Sequence, residues 1–372
     1  MPEMTVSFPH MGGYAAEIAQ LFRRLFPKAT ILTPPPITNK TLELGGKYSP
    51  DFVCAPFKYN LGNYIQALER GTDVLFQTGT GCRYGYYGEL QEQILRDLGY
   101  RFKFVCLSRQ RLSPRKVLRV LRDLGCALPV RKILHAALLT LLSIRAQDRY
   151  EYWMRENMAF ERRPGACEAV QKQLLRRMET INSFGGLRAA ARYAKRAVRR
   201  IELERPERPL RIGIVGELYT LMEPFSNFDI EKQLAAAGFS VSRAMGIWFL
   251  FARSKRRSLR RSGKYLRYTV GANGVDSVSQ SLAYARKGYD GILHLKSFGC
   301  IPELNAGPAL DNLSRDCEIP ILHLSFDTHS SQTGVQTRLE AFTDMLRMRR
   351  EDEDHGKPGR GYRLGIDQSG GA

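Results

Sequence analysis

The chain has 372 residues, 43% of them hydrophobic and 25% charged, which is enough apolar material for a buried core and unlike a disordered chain. Lys and Arg number 57 against 37 Asp and Glu, a net charge of +20 that favours an anionic partner (nucleic acid, anionic lipid or a phosphorylated small molecule) and says nothing about fold. The best apolar stretch, residues 133–144, falls short of the roughly 20 residues a bilayer span needs. The N-terminus has neither a basic n-region nor an apolar h-region, so a soluble, cytoplasmic protein with no membrane partner is expected.

Residues 5–8 read as a strand, 14–26 as an amphipathic helix, and 29–32 as a second strand stopped by Pro34-Pro35-Pro36. After a polar stretch, Phe52-Val53-Cys54 reads as a buried strand end. Residues 61–70 are helical with Gly71 as a left-handed C-cap; a strand at 74–77, a helix at 89–98 and a strand at 102–107 follow. From about 114 to 205 strand signal gives way to Leu, Arg, Ala and Glu, so several helices are expected. Arg188, Arg192, Lys195, Arg196, Arg199 and Arg200 fall there on one charged helical face, and Pro206 and Pro209 close the segment.

Alternation then returns. Strands are expected at 212–215, 240–245, 291–295 and 319–326, and helices at 228–237, 275–287, 308–315 and 333–348. The polar, Gly-rich remainder from Arg349 reads as a disordered tail. Strands separated by helices point to parallel sheets. The expected fold is therefore α/β: two lobes with parallel sheets, 1–111 and 207–348, flank a helical insert or linker, 112–206, with a tail at 349–372.

Seven scattered cysteines do not form a secreted disulfide framework; they are packed thiols or ligands. Three share a position type. Cys54 follows Phe52-Val53, Cys82 ends Thr78-Gly79-Thr80-Gly81-Cys82 after the strand at 74–77, and Cys300 ends Ser297-Phe298-Gly299-Cys300 after the strand at 291–295. Ligands of open α/β sheets bind beyond the carboxyl ends of the strands, so these cysteines would converge on an inter-lobe cleft. Gly79, Gly81 and Gly299 would let backbone N–H groups approach inorganic sulfide, and Lys58 and Arg83 would offset thiolate charge, which suits an iron–sulfur cluster better than zinc. The competing reading is that they are small packed hydrophobes. Cys106, Cys126, Cys167 and Cys317 read as structural.

Other signals are weaker. In Gly79-Thr80-Gly81 the next glycine, Gly85, comes one residue late for a dinucleotide loop. His10-Met11-Gly12-Gly13 suits a phosphate loop or, more simply, a tight turn. No GxxxxGK[ST] loop is present. His294 and His323 read as core or face residues, and His329 in Asp327-Thr328-His329 as a cap residue at a strand end that could line the cleft. Arg253, Lys255, Arg256, Arg257, Arg260, Arg261, Lys264 and Arg267 form a run without acids, with Phe251, Tyr265 and Tyr268 around it. It reads as a solvated face, a CoA-phosphate funnel or a docking patch ahead of a nucleic-acid site.

The segments Cys54-Ala55-Pro56-Phe57-Lys58-Tyr59-Asn60-Leu61-Gly62, Gly81-Cys82-Arg83-Tyr84-Gly85-Tyr86-Tyr87 and Phe298-Gly299-Cys300-Ile301-Pro302-Glu303 resemble the 2-hydroxyacyl-CoA dehydratase family, and within it the branch of CoA-protein activases, or acyl-CoA dehydratase activase-related proteins. The segment from Phe326-Asp327-Thr328-His329 to Gly334, with Thr337-Arg338-Leu339-Glu340-Ala341-Phe342, is similar to that branch too. The resemblance spans about residues 5–345, the middle third contributing little. It implies two Rossmann-like lobes with a single 4Fe–4S cubane held by Cys54, Cys82 and Cys300. It also implies transient docking of a separate ATP-dependent activase and low-potential electron transfer to an acyl-CoA or similar small molecule, in a radical dehydratase or reductase. The actin-like ATPase signature of activases is absent, no motif fixes substrate residues, and a dimer is left open. The alternative is a non-catalytic basic nucleic-acid-binding or assembly factor.

Overall fold

The computed structural model describes residues 4–79, 82–107 and 113–355. Residues up to His329 form one compact unit, and a second begins at Ser330.

In the first unit β1 (Thr5–Ser7) leads into α1 (Ala15–Leu25) and β2 (Thr30–Ile31), followed by α2 (Asn39–Tyr48), α3 (Ala55–Leu68), β3 (Val74–Gln77), α4 (Tyr84–Asp97) and β4 (Lys103–Cys106). The strands pair in parallel in the order β2-β1-β3-β4. Both faces are covered, as an all-parallel sheet requires. Phe8, Phe22, Phe26, Phe76 and Val105 pack on one side, and Phe57, Leu61, Tyr64, Leu75 and Leu95 on the other.

Two differences from the sequence reading matter here. The polar stretch after the prolines folds as α2, started by a reciprocal Thr38–Thr41 capping box. Phe52-Val53-Cys54 is not a strand end: Phe52 is 87% exposed, and Cys54 is the N-cap of α3, with Pro56 in the first turn.

The middle segment is helical as expected: α5 (Pro114–Asp123), α6 (Val130–Asn157), α7 (Ala166–Met178) and α8 (Phe184–Val198). It is more than a linker. On α6, Asp148 accepts the Tyr14 hydroxyl through Oδ1 and the Trp248 amide, at 2.9 Å, through Oδ2. Two turns on, Arg155 reaches Glu231, which also binds Arg243.

The second lobe follows with β5 (Arg211–Gly216), α9 (Leu218–Met222), α10 (Ile230–Ala236), β6 (Ser240–Ser242), α11 (Ile247–Ala252), α12 (Lys255–Ser262), α13 (Gly274–Arg286), β7 (Gly291–Ser297), α14 (Ile301–Asp316) and β8 (Ile321–Phe326). Its order, β6-β5-β7-β8, repeats that of the first sheet, again all parallel. Two Rossmann-like lobes are thus in place. The chain order reverses between β1 and β3 and between β5 and β7, and a crevice opens at such switch points.

In the second unit α15 (Gln332–Asp354) buries Val335, Leu339, Phe342 and Leu346 along one face. The helix continues past Arg349, where a disordered tail was expected, with Arg349 and Glu353 paired at 3.3 Å one turn apart. The rest of that expected tail, from residue 356, lies outside the described residues. No helix among them is long and apolar enough to cross a membrane.

Candidate functional site

The three singled-out cysteines sit at the carboxyl ends of the sheets, each beside a helix N-terminus. Cys54 is the N-cap of α3, Cys300 the N-cap of α14, and Cys82 lies two residues before α4. Helix N-termini carry partial positive charge, so three of them face the place where thiolate charge would develop.

Arg83 joins the three segments. Its guanidinium donates to the Phe52 carbonyl at 3.3 Å, two residues before Cys54, and to the Gly299 carbonyl at 2.9 Å, one residue before Cys300. Gly299 has φ +74°, a left-handed conformation that disfavours a side chain. A second link crosses the lobes: the Ala55 amide, an orphan donor in the first turn of α3, is accepted by Ser297 Oγ at 2.8 Å in a buried bond. A third is Lys58 Nζ to Thr328 Oγ1 at 3.4 Å.

The sulfurs influence one another electrostatically. Burial pushes the Cys54 thiol up to about 12; the Tyr87 hydroxyl pulls it down, while Glu217 and Cys82 add to the rise. The Cys54 amide donates to the Tyr87 hydroxyl oxygen at 3.4 Å, and the same hydroxyl meets Cys54 Sγ at 3.2 Å. Cys300 is raised by burial first, then by Glu217, Glu303 and Cys54. Cys82 is raised by burial; the Tyr84 amide on its sulfur at 3.4 Å pulls it down, as do Arg83 and Lys255, against Glu217. All three therefore hold their protons at neutral pH unless a cation displaces them, and loading with metal must release protons.

Among the described residues no three His, Cys, Asp or Glu side chains are gathered tightly enough to hold a single metal ion. A cubane spreads its thiolate ligands wider than one ion does, and three thiols with no imidazole among them match the donors iron–sulfur clusters take. Thr80 and Gly81 lie outside the described residues. Gly79 makes room for a ring: a Cβ there would lie 2.1 Å from Tyr84 Cδ1.

Glu217 is a site residue that sequence reasoning missed. It acts on all three cysteines while its carboxylate is fixed by the Tyr219 and Thr220 amides, at 2.9 and 2.8 Å, and by the Thr220 hydroxyl at 2.8 Å. It follows β5 just as Cys300 follows β7, so strand-end position alone could have marked it.

The histidines read as core residues form a connected chain behind Cys300. Glu303 Oε2 accepts from Ser277 Oγ at 2.8 Å and meets His294 Nε2 at 2.9 Å. His294 Nδ1 meets His323 Nδ1 at 2.8 Å, and His323 Nε2 meets Asp311 Oδ1 at 3.1 Å. Glu303 and His294 are buried and Asp311 is exposed, so the chain runs from the interior to solvent. Its three ring contacts need three protons and two neutral imidazoles supply two, so the third comes from a carboxyl group or a second ring proton.

The remaining candidates go elsewhere. Cys126 lies in the first lobe's core, Cys167 among the helices of the middle segment, and Cys317 at the C-cap of α14, 3.9 Å from the Tyr265 hydroxyl. Cys106 backs onto α4, where a Cβ on Gly88 would lie 2.6 Å from its sulfur. His329 is exposed, and its amide donates to Asp327 Oδ1 in a local turn. In the glycine turn after His10 the Glu223 carboxylate takes the place read for a phosphate, accepting from the Gly12 amide at 2.9 Å and meeting His10 Nδ1 at 2.8 Å. The basic run is partly neutralised by acids distant in sequence, Arg253 by Asp276 and Lys264 by Asp316.

No protein-family model matches this chain, and no curated protein matches it.

Proposed function

We propose that Cys54, Cys82 and Cys300 hold one 4Fe–4S cluster between the lobes, and that the chain belongs to the 2-hydroxyacyl-CoA dehydratase family its cysteine segments resemble. The observation that supports this most is Arg83, which ties the Cys54 and Cys300 loops together from the residue after Cys82. Such a group, when bound, supplies one-electron chemistry at low potential. Arg83 and Lys255 offset thiolate charge at Cys82, and the Tyr87 hydroxyl hydrogen-bonds with the Cys54 sulfur. Three protein thiols leave a fourth ligand position to a small molecule, for which an acyl-CoA or similar thioester is the proposed class.

A thioester accepts an electron only from a strong reductant. The sequence carries no phosphate-binding loop, so the nucleotide-driven step is assigned to a separate, transiently docking ATPase.

The test is metal and sulfide analysis of anaerobically purified protein, where about four iron and four sulfide per chain are expected. Stoichiometric zinc without sulfide would overturn the proposal. So would an iron-free protein with steeply salt-dependent affinity for RNA or DNA, the mark of a basic binding factor.

A further inference from the structure

The helical segment, which carries none of Cys54, Cys82 and Cys300, holds a second feature. A cavity of about 830 Å³ opens between α7 and α8. Arg192, Arg196 and Arg200, spaced four apart on one side, line it together with Arg163 and Arg177. Of the charged face legible in the sequence, Arg192, Arg196 and Arg200 thus form one wall of a concave site, and Arg188, Lys195 and Arg199 lie outside its lining. Among the described residues none of these five arginines has a carboxylate within ion-pair distance. The one acid in the lining, Glu202, is taken by Arg162 at 3.4 Å.

Tyr193 stiffens the groove: the Arg177 guanidinium stacks on its ring at 4.1 Å, and its hydroxyl binds Gln173. Five unpaired guanidiniums facing a common space repel one another, an arrangement that an anion with several oxygens relieves by charge-assisted, bidentate bonds. The volume falls in the range of small-ligand sites, and the charge is gathered from α7 and α8 around one space, whereas a polynucleotide calls for an extended charged track. We infer that this groove binds a small molecule carrying two or more phosphates.

Inorganic tripolyphosphate and ADP, titrated by calorimetry into the full-length protein, test this. Arg192→Gln/Arg196→Gln should weaken both by about tenfold or more. Arg188→Gln/Arg199→Gln, which removes the same charge from the same helix outside the lining, should leave them unchanged. Absence of sub-millimolar binding to the parent protein would overturn the inference, as would equal losses in the two variants, which would mark diffuse charge. A single-stranded oligonucleotide binding far more tightly at equal phosphate concentration would overturn it in favour of a polynucleotide surface. Each readout is independent of iron content, so this site and the cysteine site stand or fall separately.

Discussion

His294 and His323 face each other across the paired strands β7 and β8, with their Nδ1 atoms 2.8 Å apart. Burial, with His294 and Lys296 adding to it and Asp311 opposing, pushes the His323 ring down to about 4 from 6.5. Between those values the unfolded chain binds the proton more readily than the folded one. Stability is therefore complete above about 6.5 and declines as pH falls toward 4. His323→Gln should flatten the dependence of the urea midpoint on pH across that window; an unaltered slope would assign the acid sensitivity to other groups.

Replacing a ligand cysteine removes a bond to iron, whereas replacing a packed one removes only burial. Cys54→Ala, Cys82→Ala and Cys300→Ala should each abolish or cripple iron–sulfur absorbance while far-ultraviolet circular dichroism stays near that of the parent. The same change at Cys106, Cys126, Cys167 or Cys317 should keep the iron content and cost about 1 kcal/mol of stability. Loss of the cluster in Cys317→Ala together with its retention in Cys54→Ala would reverse the assignment.

Arg83→Met keeps much of the side-chain length and deletes both carbonyl contacts. The expected result is a protein that folds but loses its cluster faster on exposure to air or chelator. Arg83→Lys should rescue little, because one ammonium lacks the fork that reaches two loops. Parent-like bleaching rates for Arg83→Met would show that the link is incidental.

Glu17, on α1, is buried with neither carboxylate oxygen hydrogen-bonded, and burial pushes it up to about 8. A raised acid favours the folded state while protonated, so its contribution is intact below about 4.5 and is lost as pH rises toward 8. Glu17→Gln should raise Tm at pH 8 by more than at pH 5. An equal gain at both would mean that the carboxyl is neutral throughout.

Helices α2 and α3 touch through Gly45 and Gly62. A Cβ on Gly62 would lie 1.9 Å from the Thr41 carbonyl oxygen, and one on Gly45 1.8 Å from that of Lys58. Gly62→Ala should cost about 1–3 kcal/mol by overpacking, while Gly46→Ala, with open space around its Cβ position, should be neutral or stabilising in chemical denaturation.

The two sheets are legible because their buried strands are short apolar runs between polar turns, a pattern that parallel sheets impose. Helix α2 is not, since Asn39, Thr41, Gly45 and Gly46 are poor helix formers; the capping box and the glycine contact with α3 hold it. Cys54 shows how a short apolar pair imitates a strand, although Pro56 marks a helix start. The positions of Cys82 and Cys300 follow from strand ends. Glu217 shares that position, but a glutamate after a glycine turn has no distinctive residue-type signal. The histidine chain depends on strand register, which puts His294 beside His323 and brings both under Glu303 and Asp311 of α14. A residue list does not contain that register.

Asp148 gives α6 a mechanical role. One carboxylate grips Tyr14 from the first lobe and the Trp248 amide from the second, while Arg155 engages Glu231 two turns further on. The helix is a girder shared by both halves. A hinge motion swinging the lobes apart would have to break these bonds together with the Arg83 and Ala55 links. The spacing between the halves is thus set by a helix that carries none of the candidate ligands.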